Sequence, residues 1–321
     1  MSFFAKSFKS IVSLSLGIRN TRNLVILIYH RVLDGPDFMY PETVDKSGFD
    51  AQMALLSLGF NVLPFGVALD LLAANKLPPL AVCITFDDGY ADNYVNALPI
   101  LTKYQLPAVF FVVSGKLDQD RMWNDDIVES VRLYAEATLD LREIGLNVYP
   151  TASPVDKLAA ANKIIQSVKY LPIQQRDYCC RRIAELVDNL PKGLLLTTEQ
   201  LEQLHQAGME IGGHSVTHPI LKDVPIEVWQ YEIRENKRQL EQILDTPMRY
   251  FAYPNGKFDQ DFDRQQIEFV EKCGYKAALS TNWGCATRQS ELFNLPRFTP
   301  WDKDPRKFML RLLAMFFGYN A

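Results

Sequence analysis

An α/β fold built on parallel strands is predicted by three features of the sequence. Short apolar runs alternate with amphipathic helical stretches along most of the chain, the order produced when parallel strands are joined by crossover helices. Runs such as Leu24–Tyr29 (LVILIY), Ala81–Phe86 (AVCITF) and 108–113 (AVFFVV) are apolar throughout, as strands covered on both faces are. The polar clusters fall where these runs stop, and in parallel α/β folds that edge of the sheet holds the active site.

Taken in order, Leu24–Tyr29 ends at His30-Arg31, and the polar stretch 34–46, with two prolines, reads as a loop. Ser47 can cap a helix through Phe49, Met53, Leu55, Leu56 and Leu58, stopped by Gly59. A strand is expected over 60–63 and a helix over 65–75, ahead of Ala81–Phe86. Residues 93–104 read as a helix with a proline inside it, and 108–113 as another buried strand. From 125 to about 195 the pattern is helical, with turn signals at 149–154 and 171–172 and no strand run. This is read as a helical insertion of about 121–198.

A helix carrying Leu201, Leu204 and His205 on one face ends near Gly208, and 209–211 makes a short strand into Gly212-Gly213-His214. Residues 228–244 form a long charged helix. The strand 249–253 (RYFAY) meets Pro254-Asn255-Gly256, and the helix 265–273 is stopped by Gly274. Residues 275–280 make a strand before Trp283, and 295–298 precede a basic tail. The chain thus divides into a basic segment over 1–23, a main domain over 24–304 that holds the insertion, and a basic amphipathic tail over 305–321.

A chain of 321 residues, 48% hydrophobic and 22% charged, has ample apolar surface for a core. Its net charge of −4 argues against nucleic acid as the partner. The charge is uneven. Lys6, Lys9, Arg19 and Arg22 at one end and Arg306, Lys307 and Arg311 at the other have no acidic residue among them, leaving the middle at −11. Phe4, Phe8, Ile11 and Val12 share a helical face, suited to packing on the main domain or to peripheral contact with an anionic membrane. Ser13 and Ser15 interrupt the apolar stretch and no small-residue cleavage site follows it. A cytoplasmic location at the inner membrane face is the resulting expectation. Five cysteines without a CxxC pair point to reduced thiols rather than a disulfide framework.

Two carboxylates, Asp87 and Asp88, stand side by side where a buried strand runs into Gly89. That juxtaposition is costly unless a cation or a shared proton relieves it. His214 and His218, four residues apart after a strand and two glycines, have the spacing of divalent-metal ligands on one helical turn. One of the aspartates would complete a His, His, Asp set with positions open for water and substrate, and the other would remain as general base.

TFDDGY at 85–90 together with HSVTH at 214–218 resembles the polysaccharide deacetylase family, the NodB-like carbohydrate esterases (carbohydrate esterase family 4). The resemblance covers roughly 24–298. It implies a distorted (β/α) barrel with fewer than eight strands. It also implies a metal-dependent hydrolase removing N-acetyl or related acyl groups from a sugar of a polysaccharide or glycan precursor. On this resemblance Asp87 is the general base, and Asp88, His214 and His218 hold a divalent metal, Zn²⁺ foremost. Ser215 and Thr217 shape the loop between the ligands.

The chain departs from the family pattern at three motifs. The third is usually Arg-x-Pro followed by Tyr or Trp, and here reads Ala252-Tyr253-Pro254-Asn255-Gly256, so the arginine that orients the base is missing. The stretch before Trp283 has no carboxylate, and Leu295-Pro296-Arg297 has no histidine where the general acid is usual. In the poly-N-acetylglucosamine deacetylase branch, which the N-terminal half resembles, motif order is circularly shifted and a Tyr-His on the first strand supplies the acid. That assigns the proton donor to His30. Arg297 is the candidate replacement partner of Asp87 on the substrate side. Tyr253 and Asn255 are expected to line the groove, with the backbone there helping to hold the oxyanion. Trp283 and Trp123 are candidates for sugar stacking. Asp92 and Asn93 are expected to cap the helix after the glycine turn. The substrate reads as an acetylated glycan. A lipid-linked sugar undergoing deformylation or deacetylation, a small cyclic amide, and glycan binding without turnover are the alternatives.

Overall fold

A computed structural model describes residues 22–317, so the basic helix expected at the N-terminus lies outside the described residues, Arg22 and Asn23 apart. The strands are β1 (Leu24–Tyr29), β2 (Asn61–Val62), β3 (Ala81–Phe86), β4 (Val109–Val112), the hairpin β5 (Thr138–Asp140) and β6 (Val148–Pro150), β7 (Glu210–Gly213), β8 (Tyr250–Ala252), β9 (Ala277–Trp283) and β10 (Leu295–Arg297). Seven of them run parallel in the order β1-β3-β4-β7-β8-β9-β10 when the β1–β10 seam is left open, as expected for a barrel of fewer than eight full strands. β1 pairs with β3 along its whole length, so β2 and β4 share the other edge of β3, β2 at its start and β4 at its end. The seam is closed just past β10, where Phe298 N–H donates to Ile26 O (2.8 Å) and Ile28 N–H to Phe298 O (3.0 Å).

The helices are α1 (Lys46–Gly59), α2 (Phe65–Ala73), α3 (Leu98–Tyr104), α4 (Trp123–Leu133), α5 (Pro154–Val168), α6 (Ile173–Ala184), α7 (Thr198–Gln206), α8 (Ile226–Leu244), α9 (Arg264–Lys272) and α10 (Pro305–Phe316). Strand side chains alternate between two faces, and the core divides accordingly. Leu24, Ile26, Ala81, Cys83, Val109, Phe111, Ala252, Leu279 and Leu295 pack inside the barrel, whose base is plugged by Phe65, Ala68 and Leu72 of α2. Val25, Leu27, Val82, Ile84, Phe110 and Phe251 face outward onto α1, α3 and α7 to α10. Continuing the inner parity past the strand ends carries His30, Asp87 and His214 into the barrel mouth.

α10 buries Phe308, Leu312, Met315 and Phe316 against this outer layer and leaves Leu310, Arg306 and Lys307 exposed. No helix among the described residues is long and apolar enough to cross a membrane.

Several elements differ from the sequence expectation. α1 is capped by Asp45, which accepts from Gly48 N–H at 2.8 Å, rather than by Ser47. The 93–104 helix begins as one π-turn, Asn93–Ala97, and Pro99 falls in the first turn of α3, which continues directly from it. Asp92 and Asn93 do not cap it. Asp92 instead accepts from Arg31 and from Val32 N–H, while Asn93 donates to His30 O. The 121–198 segment is not wholly helical. Its three-residue strands β5 and β6 were too short to show as apolar runs, yet Leu139 and Tyr149 join Ile127, Val131, Ile164 and Ile183 in a small core of the segment's own.

Candidate metal centre and active site

Asp87 and Asp88 both approach His214, whose Nε2 lies 4.0 Å from Asp87 Oδ2 and 3.4 Å from Asp88 Oδ1. Asp87 N–H donates to Tyr29 O of the neighbouring strand (2.9 Å), which fixes its carboxylate on the inner face. Asp88 and Gly89 follow with φ of 75° and 82°. A left-handed aspartate costs about 1–3 kcal/mol, and such strain collects at functional sites.

Asp87 is buried and its carboxylate is gripped by Arg297, Nη1 to Oδ1 and Nη2 to Oδ2, each at 2.7 Å. Arg297 is itself fully enclosed, its Nε donating to Ser280 O (2.8 Å). Burial pushes the Asp87 carboxyl up, but the guanidinium, with His214 and His30 nearby, holds it below the usual carboxylate range. Arg297 therefore meets Asp87 as a partner beneath the site. It cannot touch substrate, because no part of it reaches the groove.

His214 and His218 reach one point without a helix. The 214–218 stretch is an irregular loop in which Ser215 and His218 are left-handed, with φ of 64° and 59°. Their rings lie 5.0 Å apart, and both Nε2 atoms point at Asp88 Oδ1, at 3.4 and 3.3 Å. His214 Nδ1 lies 2.7 Å from Ala252 O. A carbonyl only accepts, so Nδ1 carries the hydrogen and Nε2 is left as the ligating nitrogen. Burial pushes this imidazole down, but Asp87 and Asp88 beside it hold it above its usual value. Burial pushes His218 down to about 4, which keeps it neutral at physiological pH. Burial pushes the Asp88 carboxyl up, but His214 chiefly holds it below the usual carboxylate range.

The three ligand atoms lie within 4.8 Å of one another. Asp88 Oδ1 is buried and has no hydrogen-bond partner. An orphaned carboxylate oxygen facing two imidazole Nε2 atoms is a donor set that a divalent cation satisfies.

The ligand loop is held from below by two residues that the sequence reading did not single out. Glu232 of α8 accepts from Val216 N–H (2.7 Å), Thr217 N–H (2.8 Å) and Thr217 Oγ1 (2.6 Å). Asn236 Nδ2 donates to Ser215 O (2.6 Å). Gly213 lies so close to Asn236 and Tyr275 that a Cβ there would collide with both. The signal for these residues was present: Glu232 and Asn236 interrupt the apolar stripe Trp229, Ile233, Leu240, Leu244 on the buried face of α8. Ser215 and Thr217 shape the loop as expected, Ser215 Oγ accepting from His218 N–H at 3.0 Å.

His30 continues β1 beside Asp87 and is exposed at the mouth rather than enclosed in the core. The expectation for Tyr253 fails. Its ring is fully buried, stacked 3.7 Å from Phe262, its hydroxyl donates to Phe293 O, and its N–H is used by Leu279 O. Neither its side chain nor its N–H is free for substrate. Asn255 is half-buried and left-handed, its carbonyl accepting from Thr281 Oγ1. Trp283 is also half-buried, packed between Phe298 (4.8 Å) and Trp301 (4.9 Å), and the more accessible ring of this group is Trp301. Trp123 lies under the guanidinium of Arg176, 5.0 Å away.

Comparison with known proteins gives a consistent family. Residues 74–278 match the family model described as polysaccharide deacetylase. A putative polysaccharide deacetylase of Bacillus subtilis, YxkH, is 23% identical over 276 residues, covering 85% of this chain and 70% of its own. A poly-beta-1,6-N-acetyl-D-glucosamine N-deacetylase of Staphylococcus aureus is 27% identical over 140 residues, 40% of this chain and 48% of that protein. The fold is shared with the Streptococcus pyogenes deacetylase PplD, solved with acetate (TM-score 0.61, 21% identity, 91% of this chain and 98% of that one). It is shared also with IcaB of Ammonifex degensii (TM-score 0.56, 19% identity, 89% and 97%).

Proposed function

The chain belongs to the polysaccharide deacetylase family, and we propose that it is a metal-dependent hydrolase that removes an N-acetyl group from a sugar of a glycan. The observation that carries this reading is the orphaned Asp88 Oδ1 facing His214 and His218, beside an Asp87 kept ionised by Arg297. The N-deacetylase of S. aureus named above supports the amide as the bond attacked.

Asp88, His214 and His218 would hold the ion, for which two imidazoles and one carboxylate make Zn²⁺ the first choice. Bound there, it would supply Lewis acidity, polarising the acyl carbonyl and making water a stronger acid. Asp87 accepts a proton from the attacking water as its oxygen bonds to the acyl carbon. The Arg297 fork leaves lone pairs on both Asp87 oxygens for that purpose. His30, at the open edge of the mouth, gives a proton to the sugar nitrogen as the C–N bond breaks, so acetate and a free amine leave. Asn93, bonded to His30 O at 2.8 Å, and Asp92, bonded to Val32 N–H and Arg31, hold this segment in place. Trp301, Trp283 and Asn255 are proposed to flank the sugar.

Acetate release from N-acetylglucosamine oligomers by the zinc-loaded protein, and its loss on chelation, tests the reading. Glycan binding with no release by metal-loaded protein would favour the non-catalytic alternative.

A further inference from the structure

Arg176 is a buried cation that the chemistry above does not use. It projects from α6 of the inserted segment, is 5% exposed, and stacks over the Trp123 ring at 5.0 Å. Its hydrogen bonding is poor. Nε reaches Asp177 Oδ1 at 3.3 Å, and Asp177 is half exposed. The two Nη nitrogens have no hydrogen-bond partner among the described residues, yet they are not sealed from solvent. Enclosing a guanidinium with most of its five donors unused costs free energy that a ring face only partly offsets.

The inserted segment that carries Arg176 is tied to the active-site rim at two places. At one side Tyr90, two residues beyond Asp88, donates to Asp125 at the start of α4 (3.1 Å). At the other, Gln260 in the loop after β8 donates to Tyr170 just before α6 (2.6 Å). Trp123, which lies against Arg176, is two residues before Asp125, and Asp125 meets Tyr90 two residues beyond Asp88. The other arginine at this rim, Arg31, is already engaged by Asp92 at 2.8 Å.

We propose that Arg176, presented over the Trp123 ring, is the specificity-determining residue of the site and takes an oxyanion, phosphate or carboxylate, carried by the substrate next to the acylated sugar. A planar fork stacked on an aromatic ring suits bidentate recognition of such groups. The inference rests on the deacetylase reading and narrows its substrate to an anionic glycan.

The test compares zinc-loaded protein on three probes: a neutral N-acetylglucosamine tetramer, a tetrasaccharide alternating N-acetylglucosamine with glucuronate, and an N-acetylglucosamine phosphodiester oligomer. The expected result is a kcat/KM for one anionic probe at least about tenfold above the neutral one. Whichever anion wins identifies the source. In Arg176→Met that ratio falls toward one, through KM rather than kcat, and Arg176→Lys keeps part of it. Trp123→Leu, which removes the platform, lowers the ratio as well and serves if Arg176→Met does not fold. A wild-type ratio near one, or a ratio unchanged in the variants, overturns the proposal while leaving the deacetylase reading intact. If no probe releases acetate, the deacetylase reading fails and calorimetric binding of the anionic probes decides the subsite. Binding about tenfold weaker in Arg176→Met supports it, and equal binding overturns it.

Discussion

Arg297 and Asp87, 210 positions apart in the chain, meet in the barrel mouth as a two-pronged ion pair with both bonds at 2.7 Å. The pair can form because β10 and β1 are neighbours around the closed barrel, and β1 lies against β3. Breaking it leaves a buried carboxylate without a partner, at a cost of about 3–5 kcal/mol. Arg297→Met is therefore expected to melt well below the wild type. The sign with pH follows from the depressed Asp87 value. In the wild type this group adds stability above the unfolded carboxylate range and loses it as pH falls through the folded value. In the variant burial loses its largest opponent, so the acid limb of the kcat/KM profile moves to higher pH. An acid limb that stays in place would show that Arg297 does not tune the base.

Glu232 touches no reacting atom, yet it accepts three bonds from the ligand loop. Glu232→Gln keeps the volume and gives up the charge. Supporting contacts of this kind typically change metal affinity about 10–100-fold. Competition with a chromophoric chelator should show zinc bound more weakly by that order, with the fold retained by circular dichroism. Unchanged zinc affinity would reduce Glu232 to a structural residue.

Much of this site was legible in the sequence, and the reasons differ residue by residue. Asp87 and His214 fall at strand ends, where period-2 alternation sends them inward, so their convergence follows from pattern alone, whereas Asp88 joins them only through its left-handed turn. The Arg297 partnership was open to inference because the usual arginine is missing and Arg297 sits on the last strand. Tyr253 misled because its neighbour Asn255 is at the rim, whereas Tyr253 itself stacks on Phe262 from a helix-flanking loop that no local pattern reveals. His214 and His218 have helical spacing, but two left-handed residues bring them together instead. Glu232 and Asn236 looked like ordinary positions of a charged helix until the loop they hold was in view.

His30 should matter in proportion to how badly the leaving group needs a proton. His30→Ala is expected to lower kcat on an N-acetyl substrate about 100-fold or more. It should have far less effect on an activated aryl acetate, whose leaving oxygen needs no acid. Equal losses on both substrates would argue for a positioning role instead.

Asp125 carries a separate pH signature. Burial raises its carboxyl from 3.8 to about 6, even though Met122 N–H and Tyr90 both donate to it. The raised value means that the native state binds a proton more tightly than the unfolded chain. This contribution is present at pH 4 and below, declines as pH rises towards 6, and stays lost above it. The loss is on the order of 3 kcal/mol. Asp125→Asn, which can still accept from Met122 N–H, should flatten the decline in melting temperature between pH 4 and 7. An unchanged slope would place the titration elsewhere.

The central claim is that Asp87 acts as base beside an ion held by Asp88, His214 and His218. Its most direct test is acetate release by zinc-loaded Asp87→Asn, with zinc content measured on the same sample. The account predicts zinc bound at wild-type stoichiometry and kcat lowered about 10²–10⁴-fold. Full activity in that variant, or activity that persists in metal-free wild-type protein, would contradict it.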